Sequence, residues 1–211
     1  QTASEHAQRT LDLYRADEHR YLFATFGEDP ALTAHHNAAL ACWISGSPES
    51  AQHHLACGHA IALRLQQPFG EAQMLWMEVL LLLDGGQFEP CEKQTARLIA
   101  LCTREDFPMW LAGAQVMRAG ALSGLSRHQE AIALVAEGMN GWAASGAQII
   151  RPFYLAIASR IHVCAGDSQR ALSLLDEGIA CANSTQETWY LAELHRHRAM
   201  LRAALDNDGG E

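Results

Sequence analysis

Histidine is the residue type that first suggests chemistry in this chain, because eleven histidines stand among its 211 residues. Five of them, His35, His36, His53, His54 and His59, fall within one short stretch. A zinc site needs three or four ligands that converge at about 2 Å, usually from i, i+3 or i, i+4 pairs on facing helices. Adjacent histidines on a helix point about 100° apart, so only one of each pair can face a common site. The spacing therefore favours exposed or capping histidines, and a metal-binding, histidine-rich enzyme is the least favoured function.

Other residues that could do chemistry lack the neighbours that their chemistry requires. Ser123 stands in Ala121-Leu122-Ser123-Gly124-Leu125, which is not the Gly-x-Ser-x-Gly turn of a serine hydrolase. The single lysine, Lys93, has none of the flanking glycines of a phosphate-binding loop. Carboxylates such as Glu92 and Asp176 have no partner that the sequence places beside them. We therefore predict no catalytic residue, no metal, no cofactor and no enzymatic activity.

The net charge and the cysteine pattern limit the classes of binding partner and the cellular compartment that the sequence predicts. The formal net charge is −9 and no stripe of Lys and Arg is present, so the sequence predicts no direct contact with nucleic acid or an anionic membrane. Six cysteines are scattered without a Cys-x-x-Cys pair, which is typical of small hydrophobic residues in a reducing cytoplasm. The apolar run from Met74 to Leu83 contains Glu78 and is too short to cross a bilayer. We predict a cytoplasmic protein.

These side chains must be positioned by a repeating unit of about 40 residues. The segment from Ala131 to Met139, AIALVAEGM, lies over the segment from Ala171 to Ile179, ALSLLDEGI, after a shift of forty positions. A period in this range indicates a solenoid, and a unit of two helices with small residues at fixed offsets is typical of tetratricopeptide arrays. With only six prolines and many Ala and Leu residues, the sequence predicts an all-α fold, a tetratricopeptide-like superhelix of about four helical hairpins plus terminal helices.

We predict one repeat domain over residues 1–211. Its hairpins cover 30–67, 68–107, 108–150 and 151–187, and they are followed by a cap helix over 188–205 and a disordered tail over 206–211. A helix over 4–13 has the pattern of a second helix whose first helix is missing. We therefore expect the chain to be a fragment of a longer array, because an unstacked end would leave an apolar face in water.

Each predicted hairpin has a turn residue and two small positions at constant spacing. The turn residue lies five positions before the first small position, and the second small position lies seven positions after it, which allows the paired helices to approach closely. The turn residues are Gly46, Gly86, Ser126 and Gly166, the first small positions are Ala51, Cys91, Ala131 and Ala171, and the second positions are Gly58, Leu98, Gly138 and Gly178. Because Leu98 is not small, we expect the second hairpin to pack differently.

Four strings in the chain resemble one protein family. They are Phe26-Gly27-Glu28-Asp29-Pro30, Asp106-Phe107-Pro108-Met109-Trp110-Leu111-Ala112, Arg151-Pro152-Phe153-Tyr154-Leu155-Ala156 and Trp189-Tyr190-Leu191-Ala192-Glu193-Leu194-His195-Arg196. Their order and spacing resemble the C-terminal tetratricopeptide-like tail of large bacterial signalling proteins. In those proteins an adenylate/guanylate cyclase or a DNA-binding activator domain precedes a STAND-type ATPase. The resemblance implies a regulatory and interaction platform, although neither the cyclase nor the ATPase is present in this chain.

A tetratricopeptide array usually binds its partner on the concave wall made by the first helices of its hairpins. The register places the following residues on that wall, together with Gly113 and Gly120: His36, Leu40, Trp43, Gln73, Trp76, Leu80, Val116, Phe153, Arg160, Trp189 and Arg196. Arg160 and Arg196 occupy equivalent repeat positions. They could hold a carboxylate or phosphate, or they could pair with Glu193 or Asp176, and the sequence leaves both readings open.

Aromatic residues at the start of the first helices have two interpretations. Phe69, Trp110, the pair Phe153-Tyr154 and the pair Trp189-Tyr190 could join one hairpin to the next, or they could anchor a partner peptide. The leading functional prediction is a non-catalytic protein-interaction and regulatory domain of a bacterial signal-transducing NTPase. Its partner would be a protein or peptide, including the ATPase domain of the parent protein. The alternative is a domain of a transcriptional activator that senses a small-molecule effector.

Overall fold

The computed structural model describes residues 2–19 and 21–208, and these residues form twelve α-helices without a β-strand. This confirms the all-α prediction. Three helices, α1 (Ala3–Leu13), α2 (Ala16–His19) and α3 (Tyr21–Phe26), come before the repeats. Four hairpins follow and a single helix comes last: α4 (Pro30–Ile44) with α5 (Pro48–Leu65), α6 (Pro68–Asp84) with α7 (Phe88–Arg104), α8 (Pro108–Gly124) with α9 (His128–Ser145), α10 (Arg151–Cys164) with α11 (Ser168–Thr185), and then α12 (Leu191–Asp208).

The helices form two layers. The first helix of each hairpin contacts the first helix of the next, so that α4, α6, α8, α10 and α12 make an inner layer. The helices α5, α7, α9 and α11 make an outer layer, in which each contacts its own partner and the first helix of the following unit. In front of them, α1 packs on α4 in the same way that an outer helix packs on the next inner helix.

The forty-residue period is also a period of backbone conformation. The turns inside the hairpins have positive φ at Gly46 (76°), Gly86 (71°), Ser126 (62°) and Gly166 (79°). The turns between successive units repeat the pattern twenty residues later, at Gln66, Asp106, Gly146 and Gln186, with φ between 52° and 74°. Each left-handed residue ends one helix and turns the chain back. Proline then occupies the first position of α4, α5, α6 and α8, where its missing N–H costs no helical hydrogen bond.

The small positions lie where the helices cross. Ala51, Cys91, Ala131 and Ala171 are each 0% exposed. A Cβ atom at Gly138 would lie 2.9 Å from the main-chain oxygen of Ala112, so the α8–α9 crossing leaves no room for a side chain. In the second unit Leu98 occupies the position of this glycine, and its side chain is 0% exposed.

The C-terminal end of the chain differs from the sequence prediction. The last helix begins at Leu191 and continues to Asp208, so the disorder predicted for 206–208 is wrong. The rest of the predicted disordered tail, 209–211, lies outside the described residues. Within the part of the chain that is described, no helix combines the length and the hydrophobicity that a membrane crossing requires.

Candidate functional site

Only some of the five histidines between positions 35 and 59 lie close together. His35 on α4 and His54 on α5 approach with 3.0 Å between their Nδ1 atoms, and the ring of His53 lies 5.9 Å from that of His54. His59 points elsewhere and approaches the carboxylate of Glu78 at 3.0 Å. Among the residues described, no group of three or more His, Cys, Asp or Glu side chains is placed to hold a metal ion.

Two buried thiols have environments that suppress reactivity. Burial raises the pKa of Cys91 and of Cys102 to about 12. Because the thiolate is the reactive form of cysteine, these two side chains behave as small hydrophobic residues, as the sequence predicts.

A groove of about 700 Å³ lies on the inner layer, and we call it the aromatic groove. It lies between the N-terminal halves of α4, α6 and α8 and the loops that precede α10 and α12. Five aromatic rings line it: Phe69, Trp76, Trp110, Trp142 and Trp189. Its volume is within the range of whole-ligand pockets in proteins, and its lining has their usual mixture of aromatic and a few polar groups.

Contacts between successive repeats hold the rings of the groove. Phe69 on α6 meets Trp110 on α8 edge to face at 5.6 Å, and Trp76 meets Trp110 edge to face at 5.9 Å. The structure therefore confirms that these aromatic residues join neighbouring hairpins. Trp76 Nε1 also donates to the buried hydroxyl of Tyr154 on α10 at 3.2 Å, which ties three inner helices together. These contacts fix the orientation of the ring planes in the unbound protein.

The far side of the groove is held by one carboxylate. Glu187, in the loop before α12, accepts the main-chain N–H of Ile150 at 2.8 Å and the Nε1–H of Trp189 at 3.0 Å. Ile150 has a φ of 62°, in the left-handed region, and its neighbour Ile149 is 63% exposed at the rim of the groove. The carboxylate thus connects the two loops and sets the orientation of the Trp189 ring.

Two polar atoms in the groove lining are buried and lack a hydrogen-bond partner. Gln73 is 4% exposed, and its Oε1 is unpaired although its Nε2 donates to Thr33 Oγ1 at 3.4 Å. Trp142 is 3% exposed, and its Nε1 is unpaired. A buried polar group without a partner costs about 1–3 kcal/mol, so a ligand that supplies the missing donor and acceptor gains from both atoms.

His36 contributes a neutral ring to the groove. Burial lowers its pKa to about 4, although a hydrogen bond with the main-chain oxygen of Gln73 acts in the opposite direction. Its Nδ1 lies 3.3 Å from that oxygen, and its ring stacks on Trp76 at 5.9 Å. Because a neutral ring donates Nδ1–H to the carbonyl, the Nε2 of His36 is left as a hydrogen-bond acceptor.

The structure divides the predicted concave wall into three groups. Five of its residues line the aromatic groove: His36, Leu40, Gln73, Trp76 and Trp189. Three others, Leu80, Val116 and Phe153, are each 0% exposed and belong to the core. Their placement on an accessible wall is corrected, because close packing between neighbouring helices buries them. Gly113 and Gly120 serve the same close packing, since a Cβ at Gly120 would lie 3.0 Å from Ile157.

The remaining three predicted residues lie away from the groove. Trp43 donates its Nε1–H to Asp84 at 2.7 Å. Arg196 is paired with Glu193 at 2.6 Å. Asp176 instead pairs with Arg198, at 2.9 Å, so of the two carboxylates that the sequence offered to Arg196 it is Glu193 that forms the ion pair. The hydrogen bond from Arg196 is the main reason why the pKa of Glu193 is lowered, and the charge of Arg160 on α10 adds a smaller contribution in the same direction.

Sequence reasoning missed several groove residues that lie outside the first helices. Trp142 comes from the outer helix α9, and Ile149, Ile150 and Glu187 come from the loops between units. Both loops end a repeat, at 146–150 and 186–190. The two loops lie forty positions apart, at the same place in the repeating unit. This equivalence was the sequence signal that could have identified their residues as part of the groove.

The comparisons with known proteins agree with this architecture. No family model matches the chain. An uncharacterised protein of Rhizobium meliloti (strain 1021) is 27% identical over 199 residues, which are 91% of this chain and 18% of that protein. The chain therefore spans less than a fifth of the length of this relative. A solved structure from Podosopora anserina, described as having nearly identical TPR-like repeats, aligns with a TM-score of 0.54 and 15% identity over 83% of this chain and 96% of its own. The chain thus has a tetratricopeptide-like repeat fold, as the sequence predicts.

Proposed function

We propose that this chain is a non-catalytic interaction and regulatory module that binds a protein segment in the aromatic groove. The observation that carries the proposal is the preformed groove of about 700 Å³, in which Gln73 Oε1 and Trp142 Nε1 are buried without partners. Aromatic side chains fixed in a concave surface are the usual anchors of peptide recognition. The tetratricopeptide-like fold supports a protein partner, since arrays of this kind present extended binding surfaces.

The parent protein in this proposal is a large cytoplasmic signal-transducing NTPase of bacteria, and its own ATPase domain is the first partner to test. Support comes from the four strings that resemble the tails of such proteins. The relative from Rhizobium meliloti adds to this, because the matched region is only 18% of its length. In this scheme the module regulates an activity that resides in another domain, and it has no turnover of its own.

The experiment is a selection of displayed peptides against the purified chain, followed by calorimetry. Ile149 and Leu63 form a matched pair of exposed hydrophobic residues, at 63% and 81% exposure, and only Ile149 lies on the groove. We expect Ile149→Arg to weaken the selected peptides at least tenfold and Leu63→Arg to change their affinity less than twofold. Equal effects of the two substitutions, or an absence of selectable binders, would contradict the proposal.

A sensor of small molecules is the second candidate, because the same groove has the size of a ligand pocket and two unpaired polar atoms. A thermal-shift screen of metabolites distinguishes the candidates. A metabolite that stabilises the chain at micromolar concentration, and no longer does so in Ile149→Arg, would favour the sensor. Competition of selected peptides with one another, without any metabolite effect, would favour the protein partner.

A further inference from the structure

The lining of the aromatic groove presents π faces and hydrogen-bond acceptors. Trp110 on α8 and Trp189 in the loop before α12 contribute partly exposed rings, and Trp76 on α6, which is 4% exposed, contacts Trp110 edge to face. An organic cation is attracted to such a face, and arginine is the protein side chain that most often occupies it. The acceptors are the unpaired Oε1 of Gln73 and the Nε2 of the neutral His36 ring.

The formally charged residues that line the aromatic groove are acidic. Among the described residues that line it there is no lysine or arginine, whereas Glu28 and Glu187 carry carboxylates. Glu187 accepts hydrogen bonds from Ile150 and Trp189, and its negative charge lies beside the groove. The whole chain carries a formal net charge of −9, so the long-range field also attracts a cation.

One feature distinguishes a cation carried on a peptide from a free small cation. The unpaired Nε1 of Trp142 is a donor, and a guanidinium or ammonium group offers donors only. A peptide carries main-chain carbonyl oxygens beside its basic side chain and satisfies the donor as well as the acceptors. A volume of about 700 Å³ also exceeds what one small cation fills.

From these observations we infer that the aromatic groove recognises an arginine side chain on a peptide segment, with the guanidinium over the tryptophan faces and a neighbouring main-chain carbonyl at Trp142. The inference rests on the proposed function and specifies the chemistry of the partner. Arginine fits better than lysine, because its planar guanidinium stacks on aromatic rings and is more weakly hydrated than an ammonium group.

The test uses calorimetric titration of the chain with the capped peptide acetyl-Ala-Ala-Arg-Ala-Ala-amide. The same peptide with citrulline in place of arginine keeps the shape and removes the charge. We expect the arginine peptide to bind at least tenfold more tightly than the citrulline peptide and severalfold more tightly than the lysine peptide. Its affinity should also fall as salt rises, because partly exposed charges are screened.

Matched variants locate the effect in the groove. Ile149→Glu adds a carboxylate at the rim and should strengthen the arginine peptide about threefold or more, whereas Leu63→Glu adds the same charge elsewhere and should change the affinity less than twofold. Gln73→Leu should weaken binding about tenfold, with Gln115→Leu on α8 as the control outside the groove. The exposed sites at 149 and 63 leave the core untouched, so these two variants stay informative if Gln73→Leu fails to fold.

Several results would overturn the inference. They are citrulline or lysine binding as tightly as arginine, a glutamate peptide binding more tightly, or no saturable binding of the arginine peptide. Methylguanidinium alone binding as tightly as the peptide would also overturn it, in favour of a free cation. Groove-binding peptides without arginine in the display selection would refute this inference and leave the proposed function standing.

Discussion

At the scale of single residues, two histidines in this protein are held in the neutral form. Burial lowers the pKa of His36 on α4 to about 4. Burial, followed by the charges of Arg160 and Arg196, lowers the pKa of His197 on α12 to about 4. Their shared property is a free-energy cost of protonation in the folded state.

We predict that the folded state loses stability as pH falls below about 6.5. The folded pKa of each ring lies below its unfolded value, so the unfolded chain binds more protons in this range, and the stabilisation is complete only above the unfolded pKa. Between pH 6.5 and 5.5 each ring should cost on the order of 1 kcal/mol, before most carboxylates titrate. Urea unfolding across this range measures the slope.

Substitution measures how much of the slope these two rings contribute, since burial also lowers the pKa of His35 and of His54. His36→Gln and His197→Gln should each reduce it, whereas His6→Gln, at an exposed position on α1, should leave it unchanged. A wild-type stability that is flat between pH 6.5 and 5.5 would show that these rings titrate normally.

At the scale of helices and turns, positive φ decides which turn residues can change. Gly46 has a φ of 76°, and a Cβ placed there would contact nothing within 4 Å. We therefore predict that Gly46→Ala costs about 1 kcal/mol through backbone strain alone. Ser126 has a φ of 62° at the equivalent position, and Ser126→Gly should be neutral or stabilising by less than about 1 kcal/mol. Denaturant midpoints at constant slope report both changes, and destabilisation by Ser126→Gly would contradict the argument.

The helix crossings give a second prediction at this scale. A Cβ at Gly138 would lie 2.9 Å from main-chain atoms of α8, whereas a Cβ at Gly178 would meet the flexible end of Leu194 at 2.9 Å. Gly138→Ala should therefore cost about 2–3 kcal/mol and Gly178→Ala about 1 kcal/mol, because a side chain can move and a helix backbone cannot. In the second hairpin the equivalent position is occupied by Leu98, and Leu98→Ala should leave a cavity that lowers the free energy of unfolding by about 2–5 kcal/mol. Equal free energies of unfolding for the two glycine variants would refute this ranking.

At the scale of the whole molecule, one carboxylate joins distant repeats. Asp84, the last residue of α6, accepts from Trp43 Nε1 on α4 at 2.7 Å and from the hydroxyl of Tyr190, just before α12, at 3.2 Å. Tyr190 is 106 positions from Asp84 in the chain. In a solenoid most contacts join neighbouring units only, so this link couples the first hairpin to the last helix.

We predict that Asp84→Ala costs about 2–3 kcal/mol, since it removes two hydrogen bonds to a charged group. In a background that carries Trp43→Phe and Tyr190→Phe, the same substitution should cost about 1 kcal/mol or less. Asp206→Ala, on the exposed end of α12, is the control. Equal costs of Asp84→Ala in the two backgrounds, measured by denaturant unfolding, would show that the link carries no coupling energy.

The local order of the fold could be predicted from the sequence. The forty-residue shift and the turn residues indicated helical hairpins, and the small residues at 51, 91, 131 and 171 indicated where the helices cross. These properties depend on residues near one another in the chain, such as a left-handed turn or a missing side chain. The disorder predicted for 206–208 is wrong. Whether a terminal helix continues for one more turn depends on small differences in local free energy, and composition does not rank them.

The groove itself was decided by the tertiary structure. Helical register places Leu80, Val116 and Phe153 on the same wall as His36, Gln73 and Trp76. The first three are 0% exposed and lie away from the groove, whereas the second three line it, although Gln73 and Trp76 are only 4% exposed. Register gives the direction of a side chain around its own helix, whereas exposure depends on how closely neighbouring helices approach. The sequence by itself therefore determined the repeat and its turns. Only the packing of successive repeats decided which aromatic residues remain accessible, which polar atoms lack partners and which charges surround them.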